Sequence, residues 1–281
     1  MHYIRNICSI SIQDSFNKPG FSASLAEHSG ALALVEPEYK AFIDAGQLRR
    51  LAPVLKMALA CTSVSLRDLP PVDAIIFGTG LGCLADTHKF LEIVLKTEGL
   101  LPPTSFIQST HNTIAGQVSL SLKNTGYNST YSQNTISFER ALEDAMLCLS
   151  EDATTILLGA ADEYIPFLDD VKQALQLDAL NISSGVTTLV LTREQTDSIA
   201  AIPASTVYHS PGNTEELITR FLAEHRAIPT LICYSGSPVF PASLDAVEKH
   251  DLNTVCGTYP TNSAFGVHLA TDRIQSGATD C

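Results

Sequence analysis

The residues best suited to nucleophilic chemistry gather at one point in the chain. Ser132, Gln133, Asn134 and Thr135 lie between a short strand pattern, Ser129–Tyr131, and an amphipathic helix pattern that opens near Ser137. A cysteine at such a strand-to-helix junction would be partly ionised at neutral pH, and the helix N-terminus would lower its pKa further. Serine and threonine hydroxyls have no comparable ionised fraction and need an adjacent base. No cysteine occurs between Tyr127 and Leu147. The rival nucleophile is Cys83, beside the turn Gly78-x-Gly80-x-Gly82 and ahead of a helix. No His or Asp follows it at a spacing that predicts pairing, and His88 lies one to two turns along that helix. The glycines lack the third position of a dinucleotide fingerprint, so they are read as a tight turn.

The elements around these residues alternate between buried strands and amphipathic helices. Ile4–Ile12 alternates as a strand, Gln47–Ala60 has the leucine, valine and methionine spacing of a helix, and Asp73–Gly80 is a buried strand ending in a glycine turn. A helix follows over Asp86–Lys96, with Ala85-Asp86-Thr87 as its cap. Phe106–His111 reads as extended, a helix opens near Asn112, and Gly126 marks a turn. The helix Phe138–Leu149 leads to the strand Thr154–Gly159 and the turn Gly-Ala-Ala-Asp-Glu. Further on, strands are expected at Gly185–Thr192, within Ile199–His209 and at Thr230–Tyr234, the last as a buried strand. Helices are expected at Glu215–Ala227 and Ser263–Ala270. This alternation predicts an α/β fold with a largely buried sheet.

The stretch Phe106–Ala145 resembles the first half of a β-ketoacyl synthase of the thiolase fold. Asn112, Ala115 and Gly116 match an Asn-x-x-Ala-Gly helix motif, and Gly126-Tyr127-Asn128 matches the turn that follows. The Phe77–Thr87 and Phe106–Thr113 segments resemble the branch associated with aryl-polyene and flexirubin-type pigments. The resemblance implies a thiolase-like layered fold of two similar α/β halves, 1–165 and a shortened 166–281, forming one compact unit. It places the family's cysteine at Ser132 or at Thr135. Aligning Thr130-Tyr131 favours the first, and aligning Ala141 favours the second. Pro260 stands where one family histidine belongs, and His209 is the counterpart of the other. His111, Asn112, Ala115, Gly116, Tyr131, Phe138 and Phe265 are implied to line an acyl channel or subunit interface. His268 is read as a packed histidine.

The function so implied is a non-condensing, chain-length-factor-type subunit of a type II polyketide or fatty-acid-like synthase. Its partners would be a catalytic ketosynthase paralogue or a second copy of itself, and an acyl carrier protein, with no cofactor or metal. The alternatives are an acyltransferase using Ser132, Thr135 or Cys83, and a homodimeric binding protein. An obligate dimer is expected through the Asn-x-x-Ala-Gly helix and the open edge of Ser129–Tyr131, so that a charge at Ala115 would break it.

Composition fits this reading. The 281 residues are 45% hydrophobic, enough for a substantial core. The formal net charge of −13 argues against nucleic acid or anionic membrane as a partner. No apolar run approaches a membrane span, and the N-terminus lacks a signal-peptide pattern. Seven scattered cysteines without paired spacing suggest a cytoplasmic protein with buried thiols, and neither a disulfide framework nor a zinc site.

Overall fold

The computed structural model describes residues 1–27, 33–96, 98–177, 180–208 and 213–277. Its strands are β1 (His2–Ile10), β2 (Ala74–Gly78), β3 (Tyr127–Tyr131), β4 (Thr155–Asp162), β5 (Gly185–Thr192), β6 (Ala200–Ile202), β7 (Leu231–Tyr234) and β8 (Glu248–Asp251). The helices are α1 (Ala45–Leu48), α2 (Pro53–Ser65), α3 (Leu84–Lys96), α4 (Pro103–Gln108), α5 (Thr113–Leu122), α6 (Ser137–Ser150), α7 (Phe167–Ala174), α8 (Thr214–His225), α9 (Leu252–Val255) and α10 (Ser263–Gln275).

Six strands form one mixed sheet in the order β3-β2-β4-β5-β1-β6. β2 runs parallel to β3 and β4, whereas β5 is antiparallel to both β4 and β1. Strand β2 reads Ala-Ile-Ile-Phe-Gly and is buried throughout, as expected of a central strand covered on both faces. Its alternate side chains separate cleanly. Ile75 and Phe77 join the core beneath α2 and α5, with Val54, Met57, Val118 and Leu157. Ala74 and Ile76 join the opposite core beneath α6, with Phe138, Leu142, Ile156 and Leu158. The period of two thus builds an α/β/α layering. A third cluster, with Phe21, Leu252, Phe265 and Leu269 at its centre, supports α9 and α10.

After β5 the regular structure thins. β6 adds three residues to the sheet edge, and β7 and β8 form a separate parallel pair. A division of the chain at residue 165 falls between β4 and β5, which pair along eight residues.

Several sequence expectations need correction. The helix expected over Gln47–Ala60 is broken, because Pro53 cannot donate into a continuing helix and instead occupies the first turn of α2. Leu84 already opens α3, so Ala85-Asp86-Thr87 is helix and not a cap. The stretch expected to be extended at Phe106 is α4, which starts at Pro103. β7 is only half-buried, and its partner β8 has no strand-like pattern in Glu-Lys-His-Asp.

A cleft around the strand-to-helix junction

The junction after β3 is held by its own turn. The Ser137 hydroxyl donates to Asn134 O (2.7 Å) and accepts from the Gln133 amide (2.8 Å). This bends Asn134 into the left-handed region at φ 53°, a costly conformation for a residue with a side chain. Gly80 lies against the turn, because a Cβ there would sit 2.4 Å from Pro260 Cβ and 3.2 Å from Asn134 O. The two segments predicted from sequence, the junction and the Pro260 loop, therefore meet across Gly80.

One buried carboxylate ties these loops together. Asp162, at the end of β4, accepts from the Thr79 hydroxyl and from the Gly80 and Leu81 amides at 2.8–3.0 Å. Its other oxygen accepts from the Thr261 amide (3.1 Å) and hydroxyl (2.7 Å). Burial pushes its pKa up, while the Leu81 amide, both threonine hydroxyls and the Gly80 amide pull it back. Its neighbour Glu163 accepts from the Ala85 amide (2.8 Å) and the Val54 amide (3.3 Å). It thereby binds the first turns of α3 and α2 at once, where a negative group complements the helix dipole.

Beside the junction opens a cleft of about 960 Å³. Thr135 and Glu139 line one side, and Pro260, Ser263 and Val267 another. Leu168, Ile182, Leu231 and Leu252 supply apolar wall. The bridge between Ile182 and Thr258 and the close approach of Gly266 to Leu252 and Cys233 hold these walls in place. Glu139 projects from α6, and burial pushes its pKa up; the Ser263 hydroxyl and its own amide offset part of this, and Glu143 adds to it. The Ser263 hydroxyl lies near the carboxylate, but neither Glu139 Oε2 nor Ser263 Oγ makes a hydrogen bond of good geometry. Cys233 also faces the cleft, and burial first, then Glu248, push its thiol up to about 12, against an opposing effect of Arg273. No histidine, lysine or arginine is among the described residues lining it.

Of the residues singled out in the sequence, Thr135 and Pro260 come together in the cleft, while Ser132 is exposed outside its lining. His209 lies outside the described residues. Cys83 is buried away from the cleft; burial, Glu163 and Asp86 all push its thiol up, which opposes its use as a nucleophile. His111 and Asn112 are exposed, with His111 packed against Gly82. Tyr131 is half-buried at the end of β3. Phe138 and Phe265 are fully buried in two separate core clusters, and neither lines the cleft. Ala115 is likewise not at a surface. It is 0% exposed against the α2 side of the core, whereas a Cβ on the next residue, Gly116, would meet nothing within 4 Å. His268 is buried as expected, with Nδ1 2.8 Å from Ser9 Oγ, and burial lowers its pKa to about 4 against an opposing effect of Asp272.

Glu139, Asp162 and Glu163 were missed as site residues. Only the Gly-Ala-Ala-Asp-Glu turn offered a signal, two acids ending an otherwise apolar strand. Among the described residues no group of His, Cys, Asp and Glu could hold a metal ion, and no helix is long and apolar enough to cross a membrane.

Residues 26–227 match the model of the beta-ketoacyl synthase N-terminal domain. No curated protein matches the chain. Among solved structures, a ketosynthase (ApeO) in complex with its chain length factor (ApeC) from Xenorhabdus doucetiae is 22% identical with a TM-score of 0.57, over 69% of this chain and 79% of that one. The ishigamide ketosynthase/chain length factor aligns over 99% of this chain and 92% of its own, with a TM-score of 0.77 and 12% identity. A type II polyketide synthase acyl-carrier protein in complex with its ketosynthase, AntDE:AntF, has a TM-score of 0.75 and 14% identity over the same shares. The likeness establishes the thiolase-like ketosynthase fold.

Proposed function

Because this chain belongs to the β-ketoacyl synthase family and carries Asn134 at the bend of its strand-to-helix junction, we propose that it is a non-condensing, chain-length-factor-type subunit. The observation that carries this reading is the cleft itself. Thr135 and Pro260 line it, and no histidine is among its described lining residues. Decarboxylative condensation needs a thiolate to accept the acyl group and an acid–base partner to assist it. Cys233 does not fill the first role, since its environment keeps the thiol protonated.

Assembly follows from the sheet. β3 is an edge strand with one side unpaired, and Leu120, on α5 beside it, is 74% exposed. Unpaired edges next to exposed apolar residues need cover. A catalytic ketosynthase, or a second copy when the chain is expressed alone, would extend the sheet across β3 and bury on the order of 2,000 Å². The relatives named as ketosynthase with chain length factor support a heterodimer of aryl-polyene or type II polyketide type, served by an acyl carrier protein.

Co-expression with an intact ketosynthase tests the reading. The expected results are co-purification, loss of the complex with Leu120→Glu, and no acyl adduct on this chain by intact-mass spectrometry after exposure to an acyl thioester. An acyl group mapped to Ser132, Thr135 or Cys233, or a monomer that binds no ketosynthase, overturns it.

A further inference from the structure

The cleft keeps a polar pair that the subunit reading leaves unused. Glu139 Oε2 and Ser263 Oγ are both buried without hydrogen-bond partners, and they sit side by side on α6 and α10. Leaving a buried carboxylate oxygen unpaired is expensive, and such groups in folded proteins normally meet a donor or a cation. The floor beside them is satisfied at Asn262. Asn262 donates to Asn253 Oδ1 (3.1 Å) and accepts from Ser235 Oγ (2.7 Å). Unmet capacity remains at Glu139 and Ser263, and at the hydroxyl of Tyr259, which also lines the cleft.

We propose that the cleft binds an apolar organic cation, an aliphatic or aryl-alkyl amine, whose ammonium group bonds to Glu139 and Ser263. Size, polarity and charge all support this class. A cavity of about 960 Å³ with leucine, isoleucine and valine walls holds an apolar body of small-molecule size. An ammonium group offers three donors, enough for the carboxylate and the hydroxyl together. The described lining contains one carboxylate and no basic side chain, so a carboxylic acid ligand would meet a like charge, and a neutral alcohol would leave the charge uncompensated. A drop from a charged to a neutral partner removes a charge-assisted bond, which is the stronger kind.

Calorimetric titration of the purified chain with 4-phenylbutylamine, 4-phenylbutan-1-ol and 4-phenylbutanoate tests this. The amine is expected to bind at least about tenfold tighter than the alcohol, and the carboxylate not at all. Glu139→Gln should abolish the preference for amine over alcohol, with a circular dichroism spectrum like the parent's showing that the fold persists. Val267→Trp, which fills the cleft from α10, should abolish binding of both. Equal or tighter binding of the alcohol or carboxylate overturns the proposal. So does an amine preference that survives Glu139→Gln, or the absence of saturable amine binding. The result is independent of partner assembly, which co-purification reads separately.

Discussion

Asp162 and Glu139 are both buried acids within reach of the same junction, and they have opposite surroundings. Asp162 accepts five hydrogen bonds, from Thr79, Gly80, Leu81 and Thr261, and no oxygen is left over. Glu139 has an oxygen that accepts none. Burial raises the pKa of both; around Asp162 the Leu81, Thr261, Thr79 and Gly80 donors oppose it, whereas around Glu139 only the Ser263 hydroxyl and its own amide do. The difference separates scaffold from site. An acid whose every lone pair is spoken for holds loops in place, and one with open capacity is available to something that arrives.

The sharpest way to break this contrast is Asp162→Ala. It would strand three backbone amides and two hydroxyls where the β2 loop, the Pro260 loop and β4 meet. Each buried unpaired donor costs about 1–3 kcal/mol, so a loss of about 5 kcal/mol is expected, comparable to the whole stability of many domains. Circular dichroism should find the variant unfolded or melting far below the parent. A melting point within a few degrees of the parent would mean that the clamp is replaceable.

A third case is made by placing a carboxylate where none exists. Ala115→Asp puts a charge among Ile114, Val118, Met57 and Ile75 with no partner built for it. A destabilisation of about 3–5 kcal/mol is expected, read as a fall in the urea midpoint. The same measurement distinguishes core from interface. If Ala115 lay at a subunit contact, the variant would be a folded monomer.

How much of this could be read beforehand depends on how local the cause is. β2, β4 and β5 were legible because runs such as Ala-Ile-Ile-Phe-Gly and Gly-Val-Thr-Thr-Leu-Val-Leu-Thr fit little but a covered strand. The junction was legible from its strand, its helix and the missing cysteine. The orientation of Ala115 was not, because a helix motif does not say which of two adjacent small residues faces inward. Nor was Glu139. One acid in the pattern Ser-Phe-Glu-Arg-Ala-Leu-Glu-Asp reads as a solvated face, and what encloses it is tertiary packing, with Ser263 of α10, more than a hundred residues away, beside it. β8 was hidden for the same reason, since its pairing with β7 is set by tertiary packing and not by Glu-Lys-His-Asp.

A buried base extends the comparison with the opposite sign. His268 titrates at about 4 when folded and at its ordinary 6.5 when unfolded. As pH falls below 6.5 the unfolded chain takes up the proton first, so stability is lost from 6.5 down to about 4 and changes no further from this group. The full loss is about 3 kcal/mol. Asn in place of His268 should therefore flatten the acid limb, with the gap between parent and variant narrowing between pH 7 and pH 4.5. Parallel pH curves would show that another group governs that limb.

Glu139→Gln carries the smallest expected effect and separates the two acids most directly. Removing a charge that no donor meets should stabilise the empty protein, by about 1 kcal/mol, whereas the same change at a satisfied acid would cost stability. The sign has a definite pH dependence. The folded-state pKa of Glu139 is raised above its ordinary 4.5, so its contribution is fully present below 4.5 and is lost as pH rises through the raised value. The glutamine variant has nothing to lose there. The two proteins should match near pH 4, and the variant should pull ahead as pH increases toward 8, in paired urea denaturations. A variant less stable at pH 8 would mean that Glu139 already has a partner in solution, and its open oxygen would no longer set it apart from Asp162.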